Sequence, residues 1–522
     1  LYDLDWETFG QNLDGHLTRC PAVENAGVKS TVCGPESFTP DHKPLVGPYA
    51  FVDGMYLACG FNSMGIMLAG GIGKELAEWV KSGLSQVAGA APNLDLFAFD
   101  PRRFHKDCAS DPYWVKNTTH ESYAKTYAIV FPHDEPLAGR GMRKSGVYED
   151  LLLNGCVFQA RHGFERPGWF VTEENHLEPL SYDYYGAYAE DGATWRLAWS
   201  SEEEEEETDV AAKKRIASSS EGEAKGSVAA HGSHPYLTAL EGELTFGWPA
   251  SFSIVAAECR AAREAAVVFD QSYFGKFRVS GPDAHKFVDF VCAAGAPRKQ
   301  FKTVYTPLCN AKGGVEADLT VTKLDDDDFY FVSGGATASR DLHWLETHAR
   351  SNDEGSRPNF DVAIADVSAD LSVLSVQGPR SRRLVASLLS STSGTSSGLE
   401  TAEESLLEVA LGPKDAPPTR KIMPFSSAFQ IPDDCTVAGI KGVTILRLTF
   451  VGELGFELHV PTQGAATVLR ALRRAGAVDA GYRAMDALSA EKGYRHWHAD
   501  LSNAETPFEA AIGFTVAKRL TS

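Results

Sequence analysis

Two stretches far apart in the chain share one grammar. In GKFRVSGPDAHKFVDFVCAA (Gly275 to Ala294) a strand ends at Val279-Ser280, Gly281-Pro282 turns, and helical spacing begins at Asp283. LSVLSVQGPRSRRLVASLL (Leu371 to Leu389) does the same around Gln377-Gly378-Pro379, with Gly378 97 residues after Gly281. Proline near a helix start costs little, because its missing N–H had no helical partner there. A strand–Gly-Pro–helix unit used twice predicts an internally duplicated α+β domain, too divergent for a solenoid.

Between the two units, VYTPLCNAKGGVEADLTVTKLDDDDFYFVSGG reads as strand, Gly-Gly turn, strand, acidic turn, strand. Further on, ILRLTFVGELGFELHVP reads as a hairpin around Gly-Glu-Leu-Gly. The 522 residues suffice for about three domains. Residues 201–233, with EEEEEE, KKR and SSS runs, are expected to be a disordered low-complexity insertion, and Ser390 to Gly398 a second one.

The front of the chain is of another kind. MYLACGF (Met55 to Phe61) predicts a buried strand, and Ile66 to Ser82 has helical spacing. The Asn62-Ser63-Met64-Gly65 turn between them aims backbone N–H groups at whatever lies before the helix. Its glycines have a plainer use, close packing of helix on sheet. There is no Lys-Ser/Thr ending, so this is not a phosphate-binding P-loop. Residues 101–190 are aromatic and polar. FPHDEPLAGR and HGFERPGWF hold His, Asp, Glu and Arg close together, as a catalytic site would, but read first as loops tying two domains together.

A net charge of −21 argues against nucleic acid as the main partner. Nine scattered cysteines with no CxxC pair suggest reduced, mostly buried thiols. No apolar run is long enough to span a membrane. The chain opens on Leu1 and stops after FTVAKRLTS, which reads as a fragment truncated at both ends.

Strand alternation puts Val315, Ala317, Leu319 and Val321 on one face and Glu316, Asp318 and Thr320 on the other. Asp318 then either faces water or, if that face is covered, has a task, because burying a bare carboxylate is costly. Glu457 and Arg483 make either a structural ion pair or parts of a pocket with two acids. In such a pocket one acid serves proton or iminium chemistry and the other bonds the N–H groups of a flat heterocycle. GxSxG and HExxH are absent.

Specific pieces carry a family resemblance over nearly the whole chain except the insertions. YFGKFRVSGPDA, YTPLCNAKGGVEADLTV, SVQGPRSR, VGELGFELHVP, GYRAMDALSAEKGYRHWHADL and TPFEAAIGF, within 245–522, resemble the folate-binding aminomethyltransferase fold of the glycine-cleavage T-protein. Residues 33–79 resemble the closing part of a D-amino-acid-oxidase-like FAD domain, which would occupy 1–100. ESYAKTYAIVFPHDEPLAGRGMR and VFQARHGFERPGWF resemble the connecting region, 101–190, of mitochondrial methylamine dehydrogenases. Among these the wording is nearest the sarcosine dehydrogenase family, with dimethylglycine dehydrogenases and the pyruvate dehydrogenase phosphatase regulatory subunit further off.

The resemblance implies two sites. Asn62, Ser63, Met64, Gly65 and Ile66 would lie against FAD, which takes a hydride from the N-methyl group of sarcosine. The one-carbon unit would pass to tetrahydrofolate, giving 5,10-methylenetetrahydrofolate and glycine. Asp318 would be the essential acid near the folate nitrogens. Glu457 would bond the pterin, with Arg483 nearby, Tyr305 walling the pocket, and Phe450 where many relatives have Tyr. Met67 stands where some related oxidases hold the substrate carboxylate with lysine. The family further implies the mitochondrial matrix and an electron-transferring flavoprotein as redox partner. GxGxxG after an early strand and the flavin-attaching histidine segment are missing from the sequence, as is the later part of the folate domain. The isolated chain is therefore expected to bind no flavin and to aggregate.

Overall fold

The turn-and-helix at the front packs on a two-stranded ribbon. In the computed structural model, which describes residues 6–31, 33–49, 52, 54–84, 92, 94–126, 129–171, 242–350, 359–391 and 425–517, strands β1 (Leu45–Pro48) and β2 (Tyr56–Cys59) pair antiparallel. The helix Gly65–Leu84 follows, and Val46, Ile72, Trp79 and Leu96 form a small core with it. The expected strand is thus present but not buried. Ala58 and Cys59 are exposed, because β2 pairs with β1 alone and no second layer covers that end among the described residues.

HGFERPGWF is a strand rather than a loop. β3 (Cys156–Arg161) and β4 (Phe164–Phe170) form a hairpin, with His162 and Gly163 left-handed at the turn. Its Phe158, Trp169 and Phe170 enter the largest apolar core, so this segment is part of the later domain's interior. The tying role holds as well: Arg140 makes a two-pronged ion pair with Glu165, and Arg161 pairs with Glu135 of FPHDEP. The first insertion lies outside the described residues. Of the second, Ser390 and Ser391 close a short strand and the rest lies outside them.

The duplicated unit yields two sheets. β5 is Val267–Asp270, β6 Gly275–Ser280, β7 Thr303–Cys309, β8 Val315–Asp325, β9 Asp328–Ser333, β10 Ala363–Asp366 and β11 Leu371–Gln377. After β12 (Leu389–Ser391) come β13 (Ala428–Gln430), β14 (Cys435–Val437), β15 (Thr444–Leu446), β16 (Gly455–Pro461) and β17 (Val478–Asp479). One sheet runs β10-β6-β9-β8-β7 and the other β13-β15-β16-β11-β5-β17. The repeated strands β6 and β11 sit one in each, as the duplication requires. Gly281 and Gly378 both take positive φ, +132° and +123°, and a Cβ on either would stand 2.6 Å from a backbone carbonyl oxygen. The meander is β7-β8-β9, as its alternation predicts. The second hairpin has a wider loop than its sequence suggests, since β15 ends at Leu446 and pairs with His459 to Glu457.

The two sheets bury their apolar faces outward. Phe277, Val279, Leu319, Val321, Phe329 and Phe331 pack under the helices Ala284–Val291 and Ala338–Ala349. On the other sheet Leu374, Val376, Phe456, Leu458 and Val460 pack with the β3–β4 hairpin and the helix Ala465–Arg474. The remaining faces meet where Tyr330 and His459 touch and are polar there, while on the β5 side Val267 and Phe269 pack under the helix Tyr482–Lys492.

Candidate functional site between the sheets

Register decides which side chains share the space. In an antiparallel pair, residues opposite each other point to the same side. Thr322 lies opposite Tyr330 and Thr320 opposite both Val332 and Tyr305, so Asp318, Thr320, Tyr305 and Tyr330 share one face. On the other sheet Ser375 lies opposite Glu457 and Val373 opposite His459. Tyr330 Oη and His459 Nδ1 are 2.8 Å apart, so the two faces meet there. Asp318 and Glu457 therefore project from facing sheets into one space. At the Tyr330–His459 end a cavity of about 460 Å³ opens, lined also by Arg278, Asp328, Gln430 and Thr444.

Asp318 does not simply face water. A bulge at Glu316 breaks the expected alternation, so Val315 leaves Ala317, Leu319 and Val321 and packs with Leu501, Ala510 and Ile512, which cover the start of β8. Arg340 pairs with Glu316 and reaches to 3.6 Å from Asp100, just ahead of the connecting region. Trp497 donates from Nε1 to the Val315 carbonyl at 2.8 Å. Under this cover Asp318 keeps partial exposure, and its Oδ2 accepts a 2.7 Å bond from the Tyr305 hydroxyl. Burial pushes the carboxyl above its ordinary range, opposed by the Tyr305 bond and the charge of His496. The same burial, together with the carboxylate, pushes the Tyr305 phenol up. His496 also links Asp318 to Phe450, whose ring lies edge-on at 4.6 Å from the imidazole.

Glu457 is 7% exposed, with His459 Nε2 3.5 Å from its Oε2. None of the described hydrogen bonds uses its carboxylate. Gln377 Oε1 and His459 Nε2 are buried and make no hydrogen bond. Gln377 rises from the same face as Ser375 and Glu457. A buried polar atom without a partner costs free energy, so several in one space mark where a hydrogen-bonding ligand fits. Acceptors at Glu457 and Gln377 suit a flat heterocycle that carries N–H groups.

Arg483 stands elsewhere. Its guanidinium pairs with Glu243, bonds Ser251 Oγ at 2.7 Å and stacks 4.3 Å from the Trp169 ring centre. The expected Glu457–Arg483 ion pair is therefore absent, because the buried Glu243 takes the arginine on the side of the β3–β4 hairpin. Sequence reasoning did not single out His459 or Gln377 for the pocket. For His459 and Gln377 the available signal was parity with Glu457 along β16 and across to β11.

At the front, Asn62 and Ser63 are both left-handed, at φ +50° and +64°. Asn62 is 2% exposed and spends its amide on the turn: Oδ1 accepts from Thr39 N at 2.8 Å, and Nδ2 donates to Gly60 O at 2.6 Å. Ser63 bonds Glu36. The helix then starts at Gly65 with Ile66 99% and Met67 74% exposed, so its first N–H groups and two apolar side chains point away from the described residues. That arrangement fits an apolar, acceptor-bearing ring edge. Gly70, Gly71 and Gly73 have open space around them, which removes close packing on described residues as their use.

All nine cysteines are free, four of them buried. Among the described residues no cluster could hold a metal and no helix is long and apolar enough to cross a membrane.

Comparison with known proteins matches this architecture. The family model described as GCVT N-terminal domain covers residues 147–410 and 417–519. That for the FAD dependent oxidoreductase central domain covers 91–145, and that for FAD dependent oxidoreductase covers 2–79. The first match begins at the β3–β4 hairpin's supporting helix, in line with the shared core. The chain is 41% identical to human mitochondrial sarcosine dehydrogenase over 99% of its length and 49% of that protein's. It is 25% identical to rat mitochondrial dimethylglycine dehydrogenase, over 99% and 48%. It is also 25% identical to the mouse mitochondrial pyruvate dehydrogenase phosphatase regulatory subunit, over 97% and 46%. The chain thus spans about half the length of these relatives.

Proposed function

We propose, from the premise that this chain belongs to the GCVT N-terminal domain family and carries FAD dependent oxidoreductase segments ahead of it, that it is part of an enzyme oxidising an N-methyl amino acid, with sarcosine as substrate, and passing the one-carbon unit to tetrahydrofolate. Sarcosine is favoured over dimethylglycine by 41% against 25% identity to the corresponding relatives. A mitochondrial matrix location and electron transfer to a flavoprotein partner belong to the same reading.

Bound flavin supplies the two-electron oxidation of the N-methyl carbon, and bound tetrahydrofolate the nitrogen nucleophiles that take up that carbon. The chain's own residues do the rest. Asn62 holds the turn whose following residues, Ser63 to Ile66, meet the flavin edge. Asp318 holds or releases a proton beside the folate nitrogens, with Tyr305 fixing its Oδ2 and steadying the charged form. Glu457, steered by His459, accepts N–H bonds from the pterin, and Phe450 and His496 wall the space. Arg483 fastens the hairpin to the folate-side domain.

The observation that carries this reading is the pair of facing carboxylates, Asp318 and Glu457, in a space with orphaned acceptors. The test is turnover of sarcosine labelled with ¹³C in its methyl group. The label should appear in methylenetetrahydrofolate when tetrahydrofolate is present and as formaldehyde when it is omitted. Formaldehyde in equal yield under both conditions would remove the folate half of the proposal.

A further inference from the structure

A second polar cluster lies where the β3–β4 hairpin meets the helix Tyr482–Lys492, and nothing above uses it. Arg166 on β4 takes part in none of the described ion pairs, and its Nε has no hydrogen-bond partner. Its guanidinium lies 4.1 Å from the Tyr482 ring centre and 6.0 Å from that of Tyr273. Tyr482 is 3% exposed and Tyr273 6%, and neither hydroxyl has a partner. Gln271 Oε1 and Asp270 Oδ2, in the segment that leads into Tyr273, are buried and unpartnered too. Asp486, one helical turn beyond Tyr482, lies within electrostatic reach of Arg166 and 3.5 Å from His496 Nε2. Through His496 the cluster adjoins Asp318.

These groups are of two kinds. The Arg166 guanidinium and two phenols are donors, and Gln271 and Asp270 are acceptors. Donors of this type match a carboxylate, and arginine does so with charge-assisted bonds. The acceptors match the N–H groups of an ammonium or iminium nitrogen. Leaving so many buried groups unpaired is costly unless something pairs them.

We propose that this cluster is a carboxylate-binding site, and that its ligand is the amino acid itself, held by its carboxylate while its nitrogen faces Gln271 and Asp270 on the way to Asp318. The inference rests on the proposed function for the identity of that amino acid. The glutamyl carboxylates of folate offer the same chemistry from another source.

The test is binding to the folded protein without turnover, with glycine followed by ¹³C-carboxylate NMR, and with 5-formyltetrahydrofolate and its analogue lacking the glutamate followed by calorimetry. Arg166→Gln should weaken glycine binding by about 10- to 100-fold, with partial recovery in Arg166→Lys. If 5-formyltetrahydrofolate weakens instead, and the analogue without glutamate does not, the carboxylate site stands and its source is the folate tail. Unchanged affinities for both, or no carboxylate binding by the folded wild type, overturn the proposal. Tyr482→Phe removes one hydroxyl only and should still weaken binding severalfold, which keeps the test open if Arg166→Gln fails to fold. A protein that oxidises sarcosine but is indifferent to Arg166 refutes only this site. One that binds glycine through Arg166 but never oxidises sarcosine refutes only the function.

Discussion

Glu258 predicts a pH dependence with a definite sign. It lies on the helix Phe252–Glu264, 5% exposed, and accepts backbone N–H bonds of 2.9 Å from both Phe170 and Gly481. One carboxylate thus joins the end of the β4 strand to the start of the Tyr482–Lys492 helix. Burial lifts its carboxyl from 4.5 to about 8, although both N–H bonds favour the charged form. Between those values the folded protein keeps a proton that the unfolded chain has released, so stability falls as pH rises. The contribution is fully present below pH 4.5 and gone above about 8. At about 1.4 kcal/mol per pH unit, that window amounts to at most about 5 kcal/mol. Glu258→Gln has no such titration. It leaves an amide N–H₂ facing a backbone N–H, which costs about 1–3 kcal/mol where the wild type is protonated. The assay is amide hydrogen exchange at Phe170 and Gly481, because a multidomain chain does not unfold in one step. After correction for intrinsic rates, wild-type protection should decline from pH 5 to 8 while the variant's stays level. Equal pH dependence in the two proteins would refute the assignment of a protonated, buried Glu258.

Three further outcomes are expected. Gly378→Ala should destabilise by about 2 kcal/mol or more, read by thermal unfolding, because its positive φ and a carbonyl oxygen 2.6 Å from the new Cβ both oppose a side chain. Arg340→Met should cost about 3–5 kcal/mol by the same method, since it leaves Glu316, 3% exposed, without its cation, whereas Asp100 keeps Arg102. Asp318→Asn should slow methylene transfer to folate by at least about 100-fold while leaving flavin reduction by sarcosine intact, measured by rapid mixing. The wild-type transfer rate should rise with pH through a carboxyl lifted above the ordinary aspartate range, and that limb should vanish in the variant.

The strands, their order in the meander and the duplicated Gly-Pro unit were legible because period-two alternation and turn residues are local signals. The pairing of Asp318 with Tyr305 was half legible. Both were named, but only register puts the phenol on the carboxylate. The Glu457–Arg483 pairing that the sequence allowed is overturned because the partner of Arg483, Glu243, lies 240 residues away in the sequence beside the long insertion, and no periodicity reaches that far. HGFERPGWF was misread as a loop because its Gly and Pro outweigh the aromatics that bury it. Pro167 sits opposite Phe158 next to a register shift, where the lost N–H is tolerated.

In the proposed function, the space between the two sheets receives reduced folate between Asp318 and Glu457. The measurement that meets it most directly is calorimetric titration of the protein with 5-formyltetrahydrofolate, wild type against Glu457→Gln. Saturable one-to-one binding is expected, weakened by about 10- to 100-fold in the variant. No binding by the folded wild type, or the same affinity in both, would contradict it.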